Sequence, residues 1–388
     1  MKNLMKLSNL ILTSVALMGI YTQQVKAQPG LAAVPFLQIE PDSRGSGTGN
    51  ANVAIADNAS AVFWNPAGLA FQTGTQISIT HANWLPQFNA GLFYDYLVGK
   101  YYIEGIGTVG GHITFLNLGE QTQTDEQGNV IGTFRSYDVA VGLSYGFVIN
   151  KNLATGLGLR AIYSSLVPDG TLVSNQVQAS AGTSIAFDLG FMYKSNQFDL
   201  LGNRANFNFG LNAANLGTAI QYTDADQQDP IPATLRAGFA FTTELDPDGY
   251  NKITLAGDVS KLMARKTVET VYSDPSDSTK FTTINNVTPA YVALFTAWDS
   301  VENNDGETLT LTDQLVYGVG MEYWYDDLFA FRGGYFYEAP KNGNRQFLTF
   351  GAGLRYDIFG IDFSYIYTLE ENHPLANTVR FSLLVDFK

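Results

Sequence analysis

Cysteine is absent from the chain, which excludes disulfide bridges, thiolate metal sites and thiol nucleophiles. Its absence does not name a compartment, because many exported proteins also lack it. Basic residues are scarce: 22 Lys and Arg stand against 36 Asp and Glu, giving a net charge of −14. A chain of that sign does not bind nucleic acid by neutralising phosphates. Only three histidines occur, His81, His112 and His373, widely scattered and without an HExxH or nucleophile-elbow context. Neither catalysis nor a bound metal or organic cofactor is expected from this inventory. Long apolar runs are missing after the N-terminus. The longest, near Ala290 to Trp298, falls well short of the ~20 residues a spanning helix needs. If the mature chain crosses a membrane it must do so as a closed barrel, since only helices and barrels satisfy every backbone group in lipid.

What is present begins with an export signal. Lys2 and Lys6 give a positive start, Leu7 to Tyr21 carries no charge, and Val25-Lys26-Ala27 places small residues where a signal peptidase reads. Ser8, Asn9, Thr13 and Ser14 break the run, which argues against a membrane anchor. Residues 1–27 are therefore read as a signal peptide, and losing Lys2, Lys6 and Lys26 takes the net charge to −17. Mean hydropathy is near zero although glycines and aromatics are abundant. A soluble all-β protein and a membrane barrel with alternating faces both fit that composition.

Periodicity separates them. Tyr137, Val139, Val141, Leu143 and Tyr145 alternate with small or polar residues, as do Ile185, Phe187, Leu189, Phe191 and Tyr193. Val379, Phe381, Leu383, Val385 and Phe387 repeat the pattern at the C-terminus. Each run is about ten residues, the length of a tilted strand that crosses a bilayer. Read this way, residues 75–388 give about fourteen strands, an even number as bacterial barrels have. They start near Thr75, Ala90, Tyr102, Arg135, Leu153, Ser184, Ala205, Thr234, Lys252, Gln314, Leu328, Gln346, Ile358 and Asn377. The connections sort by length. Ile149–Lys151, Tyr325–Asp327 and the turn at Asp357 are short and fall on one side, with intermediate turns at 195–204 and 243–251. Leu118–Phe134, Ser165–Thr183, Gly217–Pro232 and Lys261–Asp313 are long and fall on the other. Short inner turns and long outer loops are the arrangement of an outer-membrane barrel. Aromatics near the predicted strand ends, among them Tyr137, Tyr145, Phe147, Trp324, Tyr325, Phe329, Tyr335 and Tyr337, fit interfacial girdles.

Residues 28–74 do not read as barrel strands. The sequence from Ala54 to Ala70, with Trp64-Asn65-Pro66-Ala67-Gly68-Leu69, resembles the N-terminal plug of the FadL family of fourteen-stranded outer-membrane transporters for hydrophobic compounds. AVPFLQIEPDSR, WNPAGLAF, FLNLGEQTQTDEQGNVIGTF and RAIYSSL look like the PorV branch, the FadL-like outer-membrane subunit of the type IX secretion system. So do EYWYDDLFAFRGGYFYE, GNRQFLTFGAGLRYDIFGIDFSYIY and HPLANTVRFSLLVDF. The likeness spans most of the mature chain and is weakest from Lys261 to Asp313. It implies an all-β fold, a fourteen-stranded antiparallel transmembrane barrel with an N-terminal plug, set in outer-membrane lipid. It also implies a role: binding the C-terminal signal domain of secreted cargo at the translocon barrel and passing it to the sortase-like surface attachment complex. The alternative is a FadL-type channel for fatty acids or other hydrophobic small molecules.

Three groups of residues are candidates for function. In the plug, Asp42 and Arg44, with Ser43 between them, offer charged and polar groups to a polar lumen, and the two charges are expected to fix the plug to inward-facing strand residues. Trp64, Asn65, Pro66 and Gly68 follow, Asn-Pro favouring a turn and Gly68 able to take a positive φ. They make either a gate or a static stopper. Gly110 and Gly111 interrupt the third strand, as adjacent glycines do at a kink or bulge, and the resemblance to FadL-type barrels implies that a kink there opens the wall sideways. Val292, Phe295 and Trp298 share one face of a short helix after Pro289, a partner surface on the outer loop or a face folded onto that loop. Two other motifs fail. Gly45–Gly49 lacks the Lys-Ser/Thr of a phosphate loop, and Asp299 to Glu307 lacks the ligand spacing of a Ca²⁺ loop.

Overall fold

The structure is a computed structural model, and it describes residues 27–28, 32–125, 127–174, 177–223, 227–272, 281–303, 306–371 and 373–387. The expected signal peptide lies outside the described residues except for Ala27.

Fourteen antiparallel strands close into a barrel. They are β1 Thr75–Asn83, β2 Phe93–Ile103, β3 Gly107–Thr124, β4 Val130–Asn150, β5 Leu153–Ser165, β6 Gly182–Lys194 and β7 Asn203–Gly217. Then come β8 Thr234–Glu244, β9 Asn251–Leu262, β10 Leu315–Tyr325, β11 Phe329–Glu338, β12 Gln346–Tyr356, β13 Phe359–Thr368 and β14 Val379–Phe387. Neighbours in sequence are neighbours in space, and β14 pairs with β1 from Thr75↔Phe387 to Ala82↔Arg380, so no edge is left.

The burial pattern is inside-out. In β4, Leu143 is 70% exposed while its neighbour Ser144 is 6% exposed. In β14, Phe381 is 52% exposed and Arg380 is fully buried. Across the strands the outward positions are mostly apolar and the lumen side carries mostly polar or small residues, with exceptions such as Tyr94, Tyr96 and Phe347 that pack inward. In water such a surface would be a continuous apolar patch far larger than soluble proteins tolerate, whereas in lipid it is the correct face. Phe93, Phe115, Tyr137 and Tyr163 form a cross-strand row of rings with centroids 5.9, 6.0 and 6.1 Å apart at the outer rim. Trp324 departs from the girdle expectation. Arg332 and Arg355 stack on it at 5.5 and 5.4 Å, on the lumen side.

The turns at one end of the barrel are short. Residues 151–152, 326–328 and 357–358 connect their strands, with Asp326, Asp327 and Asp357 at φ of 53, 50 and 54°. That conformation matches strand twist and is one Asp tolerates. At the other end the connections are longer, and the segment from Met263 to Gln314 carries a hairpin (Lys266–Tyr272 with Phe281–Val287) and a helix. The predicted loop 118–134 is different: β3 and β4 continue past the rim as a hairpin, pairing Glu120↔Arg135 through Thr124↔Val130 after a bulge at Asn117 to Glu120. Above lipid the strands no longer need an apolar face, so the ladder continues where alternation stops.

Candidate functional site

The lumen is filled by residues 32–74. The segment enters at the outer end, where the Ala33 N–H donates to the Pro230 carbonyl at 2.9 Å. It leaves at the inner end, where Thr108 Oγ1 and Lys100 Nζ donate to the Gln72 and Thr73 carbonyls at 2.6 Å each. Its regular pieces are short: α1 Ser43–Gly47, α2 Ala61–Trp64 and the 3₁₀ turns Pro35–Gln38 and Pro66–Phe71. Helices this small do not hold themselves together. The plug is held instead by the wall.

Asp42 caps α1, accepting from the Gly45 N–H at 3.3 Å and from Trp64 Nε1 at 2.8 Å. Burial pushes its carboxyl above the ordinary range, while the Trp64 and Gly45 donors pull it back. The expectation that Asp42 ties the plug to the wall is thus corrected, because its partners lie within the plug. Arg44 does make the wall contact, reaching Glu322 of β10 at 2.8 and 2.7 Å and plug Asp57 at 2.5 Å. Glu322 also accepts from Arg332 at 2.6 Å, Arg332 donates to Asp362 at 2.7 Å, and Asp362 accepts from Arg355 at 2.6 Å. One ladder of alternating charge therefore runs from plug to β13. The Ser43 N–H and hydroxyl meet Ser382 Oγ of β14 at 3.1 and 2.9 Å.

Trp64 is buried against Gly45, and Arg236 of β8 lies over its ring at 5.0 Å. Asn65 Nδ2 bonds the Val53 carbonyl in the plug and the Phe191 carbonyl in β6, both at 3.0 Å, and its Oδ1 caps the turn that Pro66 opens. Gly68 does not take the expected positive φ. It is needed because a methyl there would lie 2.1 Å from the Ala56 carbonyl oxygen.

The wall meets the plug with glycine. A methyl on Gly156 would sit 2.2 Å from the Pro66 carbonyl carbon, and one on Gly334 would sit 2.2 Å from the Gly49 nitrogen. Gly190 and Gly210 make approaches of the same kind to Asn65 and Val53. Sequence reading missed this set, although the signal was there: the glycines fall on the lumen-facing parity of their strands. Gly110 belongs to the same set, since a methyl there would lie 2.5 Å from Val62. The lateral kink expected at Gly110 and Gly111 is overturned. Pairing runs without a break through Lys100↔Gly110 and Gly99↔Gly111 on one side and Gly110↔Ser144 and Gly111↔Leu143 on the other. The wall stays closed, and the absent side chain makes room for the plug.

Cavities of about 360 and 410 Å³ lie on the outer and inner sides of the plug. The inner one is lined by paired charges such as Arg44, Asp57 and Glu322. The outer one borders Arg160, Arg236 and Arg265. A bulge at Asn215, with φ of 58°, turns its side chain to accept from Arg160 at 2.5 Å, and Arg160 also donates to Asp188 at 2.8 Å.

On the outer loop, α3 Ala290–Thr296 forms as expected after Pro289. Ala293 and Ala297 pack on Ala233 and Met263, while Phe295 is 82% exposed with Tyr291 and Trp298 beside it. Val292 is half-buried, so the exposed face is Tyr291, Phe295 and Trp298 rather than the trio expected. The histidines stay apart. His81 faces outward on Asp95, His112 lies in the lumen beside Tyr96, and His373 is in the outer connection before β14.

Among solved structures, the P. putida toluene transporter TodX matches with a TM-score of 0.51 at 11% identity, over 89% of this chain and 98% of that one. The Ralstonia pickettii toluene transporter TbuX and a Pseudomonas aeruginosa FadL homologue give 0.44 and 0.41 at 13% and 12% identity, each covering 89% of this chain and 98% of its own. The first likeness supports the fold, a FadL-type barrel of the kind set in outer membranes. Comparison with curated proteins found no match. The family described as type IX secretion system protein PorV matches residues 22–269, more than half of the sequence. The chain belongs to the PorV family, and so to the type IX secretion system.

Proposed function

We propose that the barrel receives the C-terminal signal domain of secreted cargo at the translocon barrel and hands it to the sortase-like attachment complex, without catalysis of its own. The observation that carries this reading is the locked lumen in a chain of the PorV family. A channel for hydrophobic molecules needs a continuous apolar path. Here the plug is wedged into glycine-lined wall and pinned through a charged ladder, and the third strand offers no side exit. A cargo carrier needs only its outer face. That face presents Tyr291 and Phe295 on α3 and Trp298 just past its end, aromatics of the kind that anchor protein interfaces.

A pull-down of the tagged barrel from detergent-solubilised outer membranes, read by mass spectrometry, tests the proposal. Recovery of a large translocon barrel together with proteins sharing a C-terminal domain is expected. Replacing Phe295 and Trp298 with alanine should reduce that recovery at least ~10-fold if they act as interface anchors. Recovery of the barrel alone, with fatty acid or hydrocarbon bound, would favour the channel.

A further inference from the structure

The outer cavity has a charge pattern that the plug does not account for. Its acidic residues are already engaged: Glu338 accepts from Arg345 at 2.7 and 3.0 Å, and Glu40 accepts from Arg380 at 3.0 Å. Arg160 is matched by Asp188. Arg236 and Arg265 remain. Among the described residues no carboxylate comes within ion-pair distance of either. Arg236 makes only its stacking contact with Trp64, and Arg265 only long bonds of 3.3 Å to the Asp299 carbonyl and Gln314. Asp258, which faces Arg236 from β9 beyond ion-pair distance, has Oδ2 taken by the Asn52 and Val53 N–H groups at 2.9 and 3.0 Å, while its buried Oδ1 accepts from no group. Two guanidiniums therefore border the cavity without a direct ion pair, with Asp258 and Asp299 acting on them only at longer range.

Two buried amides complete the picture. Asn50 Nδ2 donates to Glu40 at 2.5 Å and Asn212 Nδ2 to the Trp64 carbonyl at 3.0 Å, which fixes both side chains. Their Oδ1 atoms are buried and accept from no group. A buried acceptor without a donor costs about 1–3 kcal/mol, so a ligand that brings N–H groups is favoured here. Leu37 and Phe336 supply apolar wall between these polar points. The arginines, which lack a direct ion pair, favour an anion, the asparagines favour N–H donors, and the wall favours a short apolar stretch. A fatty acid lacks the second of these and an inorganic anion lacks two.

We infer that the outer cavity binds the free C-terminal carboxylate of a peptide chain, with Arg236 and Arg265 taking the carboxylate and Asn50 and Asn212 accepting from the last backbone N–H groups. This rests on the cargo-carrier reading and adds to it a chemical rule: the site reads the end of the cargo chain. Exposed aromatics on α3 would hold the domain, and the cavity would hold its terminus.

The test uses the full barrel in detergent micelles and a purified C-terminal signal domain recovered with it, made once with a free terminal carboxylate and once as the terminal amide. Binding is measured by calorimetry for the unaltered barrel and for Arg236→Gln, each first checked for native heat-modified mobility. The amide should bind ~10–100-fold more weakly, the range of one or two charge-assisted hydrogen bonds. Arg236→Gln should weaken the acid form to a similar degree and leave the amide unchanged. Sodium oleate should not compete. Equal affinity of acid and amide would overturn this inference and leave the cargo-carrier reading standing. Failure of either form to bind would overturn both. Competition by oleate that Arg236→Gln abolishes would assign the arginines to a fatty acid and overturn the peptide assignment.

Discussion

At the scale of single residues, Glu322 decides how firmly the plug sits. It is 2% exposed and stands between Arg44 and Arg332, so it is the only carboxylate joining the plug guanidinium directly to the wall ladder among the described residues. Glu322→Ala would leave two buried guanidiniums facing each other, with Asp57 and Asp362 as their remaining partners. Breaking one member of a buried charge network costs on the order of 3–5 kcal/mol. The expected outcome is a matching drop in the urea stability of the folded barrel in micelles, followed by heat-modified mobility. A change under about 0.5 kcal/mol would show that water or lipid headgroups replace the carboxylate. Arg44 was readable from the sequence as a lumen charge because a charged residue in a polar plug needs a partner. The role of Asp42 was not readable. Its partner Trp64 is 22 positions away, brought close by the fold of the plug itself.

Strands were the most legible elements, because lipid on one side and plug on the other impose a strict period of two. Thr75, Leu153, Thr234 and Gln346 begin their strands where alternation begins. Prediction went astray where the period stops carrying information. β4 starts at Val130 rather than near Arg135, because its first residues stand above the membrane, and β3 starts at Gly107 rather than near Tyr102. The plug was legible as a departure from strand pattern, but its geometry was not, since it takes its shape from the wall. The glycines of β11 test that dependence with two adjacent positions. Gly334 faces the plug, and a methyl there would lie 2.2 Å from Gly49; Gly333 faces outward, where a methyl would meet nothing nearer than 4.0 Å. Gly334→Ala should therefore destabilise by about 1–3 kcal/mol, the usual cost of overpacking, and raise conductance in planar bilayers as the plug shifts. Gly333→Ala should change neither measurement. Equal behaviour of the two variants would mean that the plug yields to the wall.

For the molecule as a whole, the path of the plug fixes where the N-terminal segment must lie. Gln28, just past the expected cleavage point, pairs with Lys266 of the long connection after β9, and Ala33 bonds to Pro230 in the connection after β7. Both connections belong to the long-loop end of the barrel, which in an outer membrane faces the medium. The chain then descends through the lumen to Gln72 and Thr73, beside the start of β1 at the short-turn end. The plug is thus threaded from outside to inside, held at its top by loops and at its base by strand ends. An epitope inserted after Gln28 should be labelled by antibody on intact cells. One inserted between Asp246 and Gly249, in the turn that joins β8 to β9, should be labelled only after the outer membrane is permeabilised. The reverse pattern would invert the barrel and move the aromatic face of α3 to the inner side, away from any surface attachment step. Labelling of both sites only after permeabilisation would place the N-terminal segment inside and undo the threaded plug. Labelling as expected places the guanidinium-lined cavity, the mouth of the plug and the exposed aromatics on one face, the arrangement that the proposed cargo-carrier role requires.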